Sequence, residues 1–186
     1  MHYDSNEERY FGMWLEELRI EGWIAEYKRA ETIVLSPKVQ TEYVVPMKRV
    51  ADKIKHHTVL NGHVFTPDFE VRWQPKALGV FITELNENAG KITTPLKSQN
   101  LTTIIETKAD YDMNNMNRLA SINIKMAYHI DGTFVNMVKM PSWFKKTFCP
   151  MAWLFTKTNK PRKVKFTKRT LEEYLSSVTP QQNLFT

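Results

Sequence analysis

Two short segments that read as β-strands constrain the fold of this chain more than any other feature. In residues 65–71, the apolar side chains fall on one side of an extended strand and the polar ones, including Asp68, fall on the other. In residues 101–108, Glu106 and Lys108 are two positions apart and therefore share a face. Because the apolar side of the first strand seeks a core, Asp68 is predicted to face Glu106 across a cleft.

The residues predicted to converge at this cleft are of the types that divalent metal sites use. Carboxylate oxygens such as those of Asp68 and Glu106 are the ligands that hard divalent cations prefer. An ammonium group beside them, here Lys108, could orient and help to deprotonate an attacking water. The pattern therefore predicts a Mg²⁺ site, which Mn²⁺ could also occupy.

A helix over residues 5–22 precedes these strands. Its apolar residues recur at helical spacing, and Gly22 is a typical stop signal. Glu8 lies at the edge of the face predicted to be buried. Two interpretations stay open: Ser5 and Glu8 form a capping box, or Glu8 points its carboxylate at the metal site.

These three segments together resemble the PD-(D/E)XK nuclease superfamily. The matching residues are Pro67-Asp68, Glu106-x-Lys108 and the upstream Ser5-x-x-Glu8. The resemblance is closest to the phage endonuclease I type of Holliday-junction resolvase and related phage recombination nucleases. It implies an α/β fold with a restriction-endonuclease-like core, in which helices flank a mixed central β-sheet.

The resemblance also implies roles for individual residues and a substrate. Glu8, Asp68, Glu106 and Lys108 would be catalytic, and the three carboxylates would hold Mg²⁺, with Glu7 as the alternative to Glu8. The implied activity is that of an endodeoxyribonuclease acting on branched DNA as a homodimer. Transposon end-cleaving, restriction-like and exonuclease activities remain alternatives, as does a protein that binds DNA or RNA without cleaving it.

A strongly basic segment occupies the C-terminal part of the chain. Residues 132–171 contain no aspartate or glutamate but hold ten cations: Lys139, Lys145, Lys146, Lys157, Lys160, Arg162, Lys163, Lys165, Lys168 and Arg169. Seven aromatic residues are interleaved with them, and at least half of these are expected in the core. Because cations bind phosphates and aromatic rings stack on bases, the segment predicts nucleic-acid binding. We therefore divide the chain into a nuclease core, 1–138, and a basic extension, 139–186, packed on it.

The composition is consistent with such a partner and excludes several classes of protein. The chain of 186 residues has a formal net charge of +6 and a pI of about 9.3, which favours an anionic partner. No apolar run is long enough to span a membrane, and no signal peptide is present, so a cytoplasmic protein is expected. Phosphate-binding glycine loops are absent, which argues against nucleotide-driven chemistry.

Further local signals predict the remaining elements. Strands are expected over 32–35 and 42–45, around 80–85 and over 133–138, and Asn61-Gly62 favours a hairpin between its flanking residues. A helix is expected after Lys108, capped by Asp110 or Asp112 and running to about residue 129. A second capping box, Thr170-x-x-Glu173, predicts a short helix near the C-terminus.

Overall fold

A computed structural model describes residues 2–48, 51–84, 90–94, 101–111, 115–156 and 158–178. Its helices are α1 (Asn6–Ile20), α2 (Met116–Asp131), α3 (Ser142–Lys146) and α4 (Leu171–Val178). Its strands are β1 (Ile24–Lys28), β2 (Ile33–Ser36), β3 (Val39–Val45), β4 (Lys53–Leu60), β5 (His63–Phe65), β6 (Phe69–Trp73), β7 (Ile82–Thr83), β8 (Ile92–Thr93), β9 (Thr102–Ala109) and β10 (Val135–Met140). Within these ranges, no helix combines the length and the apolar character that crossing a bilayer requires.

A mixed four-stranded sheet forms the centre of the molecule, with helices on both sides. Its strand order is β1-β6-β9-β10. The strands β1 and β9 both run antiparallel to β6, whereas β10 runs parallel to β9. The two motif strands are therefore direct neighbours, although the chain between them is much longer than a simple hairpin loop. The prediction of a mixed sheet flanked by helices is confirmed.

Helix α1 covers one face of the sheet. The Ser5 hydroxyl caps its first turn, and Gly22 follows its end with a φ of +69°, a conformation that glycine adopts without strain. Phe11, Trp14, Leu15 and Leu18 lie at helical spacing and are fully buried. The helix predicted over 5–22 is confirmed.

The main core lies between α1 and the sheet, and the basic segment contributes to it. Trp14 stacks on Phe148 with ring centroids 5.6 Å apart, and Phe148 in turn contacts Tyr174 of α4. Four of the seven aromatic residues of the basic segment are buried, as expected: Trp143, Phe144, Phe148 and Trp153. The part of the chain after residue 138 thus packs against α1 within this core.

Helix α2 covers the opposite face of the sheet and begins later than predicted. It packs through small residues, Ala120 and Ala127, while Leu119 and Ile122 are about half exposed. Neither predicted cap is confirmed: Asp112 lies outside the described residues, and the Asp110 carboxylate accepts the backbone N–H of Ser142 at 3.0 Å. The helix follows Asn115, which has a φ of +58° and makes no side-chain cap bond.

The segment between β1 and β6 forms a two-stranded ribbon, and the hairpin predicted at Asn61-Gly62 is wrong. Strand β4 pairs with β3 and β5 pairs with β2, so β4 and β5 follow one another along one side of the ribbon. Asn61-Gly62 only interrupts that side, opposite a matching interruption at Pro37. The pairing of β4 with β3 and of β5 with β2 outweighs the local turn preference, and the hairpin connection lies between β3 and β4.

The connection between β6 and β9 holds only short strands in its described part. The strand predicted around 80–85 is two residues long, Ile82–Thr83, and pairs in parallel with Ile92–Thr93. Residues 85–89 and 95–100 lie outside the described residues.

Candidate functional site

The antiparallel pairing of β6 and β9 brings the two motif carboxylates together. Phe69 is the register partner of Ile105, so Asp68, just before β6, lies beside Glu106. The apolar neighbours Phe69 and Ile105 are buried against α1 and hold both strands in this register. The electrostatic interaction between the two carboxylates is one of the causes of the raised pKa of Glu106.

The Glu106 carboxyl group is buried and incompletely satisfied. Glu106 is only 5% exposed, and the Lys108 ammonium donates a hydrogen bond to its Oε1. Its Oε2 is buried with no hydrogen-bond partner among the residues that the structure describes. Burial, followed by repulsion from Asp68, raises the pKa of Glu106 to about 7, although Lys108 acts in the opposite direction. Such a group binds either a proton or a cation at neutral pH.

Asp68 is oriented by Thr107, a residue that sequence reasoning missed. The Asp68 Oδ2 accepts hydrogen bonds from the Thr107 backbone N–H at 2.6 Å and from its hydroxyl at 2.5 Å. Burial raises the pKa of Asp68, and these two hydrogen bonds oppose that effect. Thr107 lies between the two recognised residues of the Glu-x-Lys motif, at the position that the motif leaves unspecified. Only the register of β6 against β9 reveals its role.

Glu8 lies near the pair but is also engaged at the end of α1. Its backbone N–H donates to the Ser5 hydroxyl at 3.1 Å, and its Oε2 accepts the backbone N–H of Asp4 at 3.0 Å. Its charge nevertheless contributes to raising the pKa of both Asp68 and Glu106. Within the described ranges, no three His, Cys, Asp or Glu residues are grouped closely enough to hold a metal ion. Glu8 therefore combines a capping role with electrostatic contact to the pair.

Arg29 is a further charged residue at this site that sequence reasoning missed. It directly follows β1, whose Lys28 is the register partner of Glu70, so the fold carries it to the Asp68 end of β6. Its guanidinium donates to Asp4 Oδ2 at 2.5 Å. This hydrogen bond and the charge of Asp4 raise the pKa of Arg29, and the charges of Glu8 and Asp68 add to the effect. No local signal marks Arg29, because its position depends on the long-range pairing of β1 with β6.

Basic residues extend from the motif pair across β10. Lys139 is the register partner of Lys108 and Met137 that of Glu106, and direct partners in a sheet share a face. Lys139 and Lys146 also line a cleft of about 210 Å³ with Ser142. Lys139, a predicted DNA-binding residue, thus lies next to Lys108, the candidate catalytic lysine.

The ten predicted DNA-binding residues differ in their exposure. Lys139, Lys145, Lys146, Lys160, Lys163, Lys165 and Lys168 are exposed, whereas Arg162 and Arg169 are half-buried, and Lys157 lies outside the described residues. Lys145, Lys165 and Arg169 line an open groove of about 650 Å³ together with Phe166.

Three of these cations also have structural contacts. Arg169 donates to the backbone carbonyl of Lys146 at 3.0 Å, at the end of α3, and Lys168 donates to that of Arg162 at 2.6 Å. The guanidinium of Arg162 lies 5.2 Å from the centre of the Tyr10 ring. Such contacts support the fold of the basic segment. Substituting these three residues would therefore alter the local structure of the segment as well as its charge.

Comparisons of the chain with protein-family models, with curated proteins and with solved structures find no match. The resemblance noted in the sequence thus depends on the motif residues alone. The geometry adds a buried, incompletely satisfied carboxylate beside a second, oriented carboxylate. Lys108 donates to Glu106, and a basic surface adjoins the two carboxylates. Carboxylate oxygens are the ligand type that hard divalent cations prefer, and exposed cations favour polyanions.

Proposed function

We propose that this protein is a metal-dependent endodeoxyribonuclease with a restriction-endonuclease-like core, acting on branched DNA. The observation that carries the proposal is the Glu106 carboxyl group, buried beside Asp68 with Oε2 unpartnered in the described structure. A buried carboxylate is unfavourable unless its charge is paired and its oxygens are satisfied. A hard divalent cation between Asp68 and Glu106 would supply that partner and offset the repulsion between them.

The residues would divide the chemistry as follows. Asp68 and Glu106 would hold Mg²⁺, or Mn²⁺ in its place, and Glu8 would be the third carboxylate after releasing the backbone N–H of Asp4. When bound, the cation supplies Lewis acidity at the scissile phosphate and a water of lowered pKa. Lys108 orients the attacking water and balances the negative charge that develops on the phosphate. Thr107 fixes the Asp68 carboxylate through its two hydrogen bonds.

DNA binding would use the basic surface next to these residues. Lys139 and Lys146 lie beside the motif strands, and the groove lined by Lys145, Lys165 and Phe166 extends the basic surface. Their ammonium groups would contact phosphates, and the net charge of +6 would attract the polyanion from a distance. Two symmetric cuts in a branched substrate require two sites related by a two-fold axis, so the active species would be a homodimer.

Cleavage of a four-way junction, compared with linear duplex and single-stranded DNA, tests the proposal. We expect Mg²⁺-dependent cleavage of the junction by the wild type, and a rate at least about 100-fold lower for Lys108→Ala with unchanged binding. Equal cleavage of linear duplex would contradict junction specificity and favour the transposon end-cleaving, restriction-like or exonuclease alternatives. Binding without cleavage, in Mg²⁺ and in Mn²⁺, would contradict the nuclease itself.

A nucleic-acid-binding protein without catalysis is the second candidate. The observation that favours it is that Lys108 is paired with Glu106 and Glu8 with the backbone of Asp4, so these residues already have structural partners. On that account, Glu106→Gln and Lys108→Met would alter stability and leave the affinity for DNA unchanged.

An RNA-binding protein would retain its affinity when the DNA is replaced by RNA of the same sequence.

A further inference from the structure

The ribbon between β1 and β6 extends beyond the core and has no assigned role in the proposed reaction. Its proximal half, β2 with β5, is anchored because Leu35 and Phe65 are buried with residues of α2 and β10. Its distal half, β3 with β4, is exposed on both faces, and only Val45 and Thr58 are half-buried. An isolated two-stranded ribbon is marginally stable in water, so a partner that covers one face would stabilise it.

The register sorts the side chains of the distal half into two faces of different charge. Directly paired residues share a face and successive residues alternate. One face, the basic face, consists of Thr41, Tyr43, Val45, Lys53, Lys55 and His57. The other, the mixed face, consists of Gln40, Glu42, Val44, Ile54, His56 and Thr58. The mixed face pairs its acid, Glu42, with His56 at 3.4 Å, whereas the basic face has no acid.

The chemistry of the basic face fits a polyanion. Lys53 and Lys55 are two residues apart on one exposed face of one strand, and none of the six residues of that face is an acid that would pair with them. Tyr43, the partner of Lys55, is 48% exposed and offers a ring and a hydroxyl to the same surface. A two-stranded ribbon has the width that the major groove of B-form DNA admits, about 12 Å.

The base of the ribbon connects it to the candidate site. β5 ends at Phe65, three residues before Asp68, and the hydroxyls of Thr32 and Thr66 lie 2.7 Å apart across the base. Lys55 is thirteen residues before Asp68. Extended chain of that length spans at most about 43 Å, slightly more than one turn of DNA at about 34 Å. A duplex in contact with the basic face thus has the motif carboxylates within about 43 Å, a distance that little more than one helical turn of DNA covers.

We propose that β3 and β4 form a DNA-binding arm that enters the major groove of the duplex next to the cleavage site. Lys53, Lys55 and His57 contact phosphates and groove edges there, and the mixed face points away from the DNA. The inference rests on the proposed function in that its partner is the DNA substrate. It concerns binding, however, and can be tested separately from cleavage.

The test compares two variants that lose the same charge. Lys53→Gln/Lys55→Gln neutralises the basic face, and Arg118→Gln/Lys125→Gln removes two exposed cations from α2 as the matched control. Fluorescence anisotropy in EDTA measures the affinity for a duplex of about two helical turns over a series of salt concentrations. We expect the arm variant to bind roughly tenfold more weakly at about 0.1 M salt, with the slope of log K against log salt reduced by about 1.8. The control keeps the wild-type slope.

The outcomes separate the arm from the nuclease. If the salt slopes of the wild type and the arm variant differ as expected but the wild type cleaves no DNA, the arm is supported and the proposed function is contradicted. If the wild type cleaves DNA and the arm variant binds and cleaves it equally well at every salt concentration, the proposal that β3 and β4 bind DNA is overturned and the proposed function is not. Circular dichroism of both variants establishes that they are folded.

Two further measurements on the same variants distinguish other occupants of the basic face. The major groove of A-form RNA is too narrow for a ribbon, so the affinity for duplex RNA should be equal in the wild type and the arm variant. An equal loss of affinity for RNA would overturn the major-groove assignment. A change in sedimentation mass in the arm variant, with an unchanged salt slope, would assign the face to a second copy of the chain and overturn the proposal.

Discussion

At the scale of single residues, the site is dominated by the contrast between two carboxylates. Asp68 has two hydrogen bonds from Thr107, whereas Glu106 has Lys108 on one oxygen and no partner in the described structure on the other. Burial raises the pKa of both, and repulsion from Asp68 adds to the effect on Glu106. Burial and mutual repulsion thus disfavour the charged forms of both carboxyl groups, and a bound cation would oppose that effect.

The raised pKa of Glu106 predicts how stability depends on pH without metal. Because its pKa is about 7 in the folded protein against 4.5 as its ordinary value, the folded state binds more protons between these values. The free energy of unfolding therefore falls as pH rises through this window. We expect Glu106→Gln to remove this fall and to stabilise the protein by about 1–3 kcal/mol near pH 8, measured by urea unfolding in EDTA. Glu172→Gln on α4 is the control, and a wild-type stability that rises through the window would contradict the assignment.

Thr107 provides a second test at this scale. Thr107→Val removes the hydroxyl that donates to Asp68 and keeps the shape of the side chain, whereas Thr107→Ser keeps the hydroxyl. We expect the valine variant to cleave about tenfold more slowly with unchanged DNA affinity, because Asp68 loses one of the contacts that orient it. The serine variant should keep most of the rate, and equal losses in both variants would show that the hydroxyl is irrelevant.

At the scale of elements, local sequence signals were sufficient to predict helices and strand faces that depend on contacts within one segment. Helix α1 follows from its apolar spacing and its cap, and the capping box of α4 forms with Thr170 and Glu173 bonded in both directions. The side-by-side placement of Glu106 and Lys108 follows from the period of a strand. The start of α2 differs from the prediction, because the helix follows Asn115, which makes no side-chain cap bond that a capping pattern could have indicated.

Placements that depend on pairing between distant strands could not be read from the sequence. Arg29 reaches the site through the pairing of β1 with β6, and Lys139 adjoins Lys108 through the parallel pairing of β10 with β9. Asn61-Gly62 shows the converse, since a strong local turn signal was overridden by the pairing of β4 with β3 and of β5 with β2. The same argument applies to Thr107, whose contact with Asp68 exists only in one register.

The two roles of Glu8 at the end of α1 can be separated experimentally. Ser5→Ala removes the hydroxyl that caps the Glu8 N–H and leaves the Glu8 carboxylate in place. We expect it to lower the free energy of unfolding by about 1 kcal/mol and to keep cleavage within about twofold. Glu8→Gln should instead reduce cleavage more than tenfold, by analogy with other metal-site carboxylates. Equal cleavage by both variants would leave Glu8 as a cap only.

At the scale of the whole molecule, one core connects the motif strands to the basic segment. Phe148 and Trp153 follow the sheet in the chain yet are buried in the cluster that contains Trp14 and Phe69. The basic surface is thereby fixed relative to Asp68 and Glu106, which a flexible tail would not achieve. Composition predicted the basic surface, but the aromatic residues shared with α1 became apparent only in the fold.

This shared core predicts cooperative unfolding. Phe148 is fully buried and contacts Trp14, Phe81 and Tyr174. We expect Phe148→Ala to lower the free energy of unfolding by about 3–5 kcal/mol. Fluorescence and circular dichroism should report a single transition at the same denaturant concentration in the wild type. Two separated transitions, with only the later one retained in the variant, would contradict a common core.

The central claim is that Asp68 and Glu106 hold the cation that cleavage requires, and the Mg²⁺ dependence of single-turnover cleavage tests it most directly. Wild type, Asp68→Asn, Glu106→Gln and the control Glu70→Gln would be compared on one DNA substrate. We expect saturable, EDTA-sensitive cleavage by the wild type and Glu70→Gln, and rates at least about 100-fold lower for the two site variants at every Mg²⁺ concentration. Cleavage by Glu106→Gln at the wild-type rate, with the same Mg²⁺ dependence, would contradict the claim.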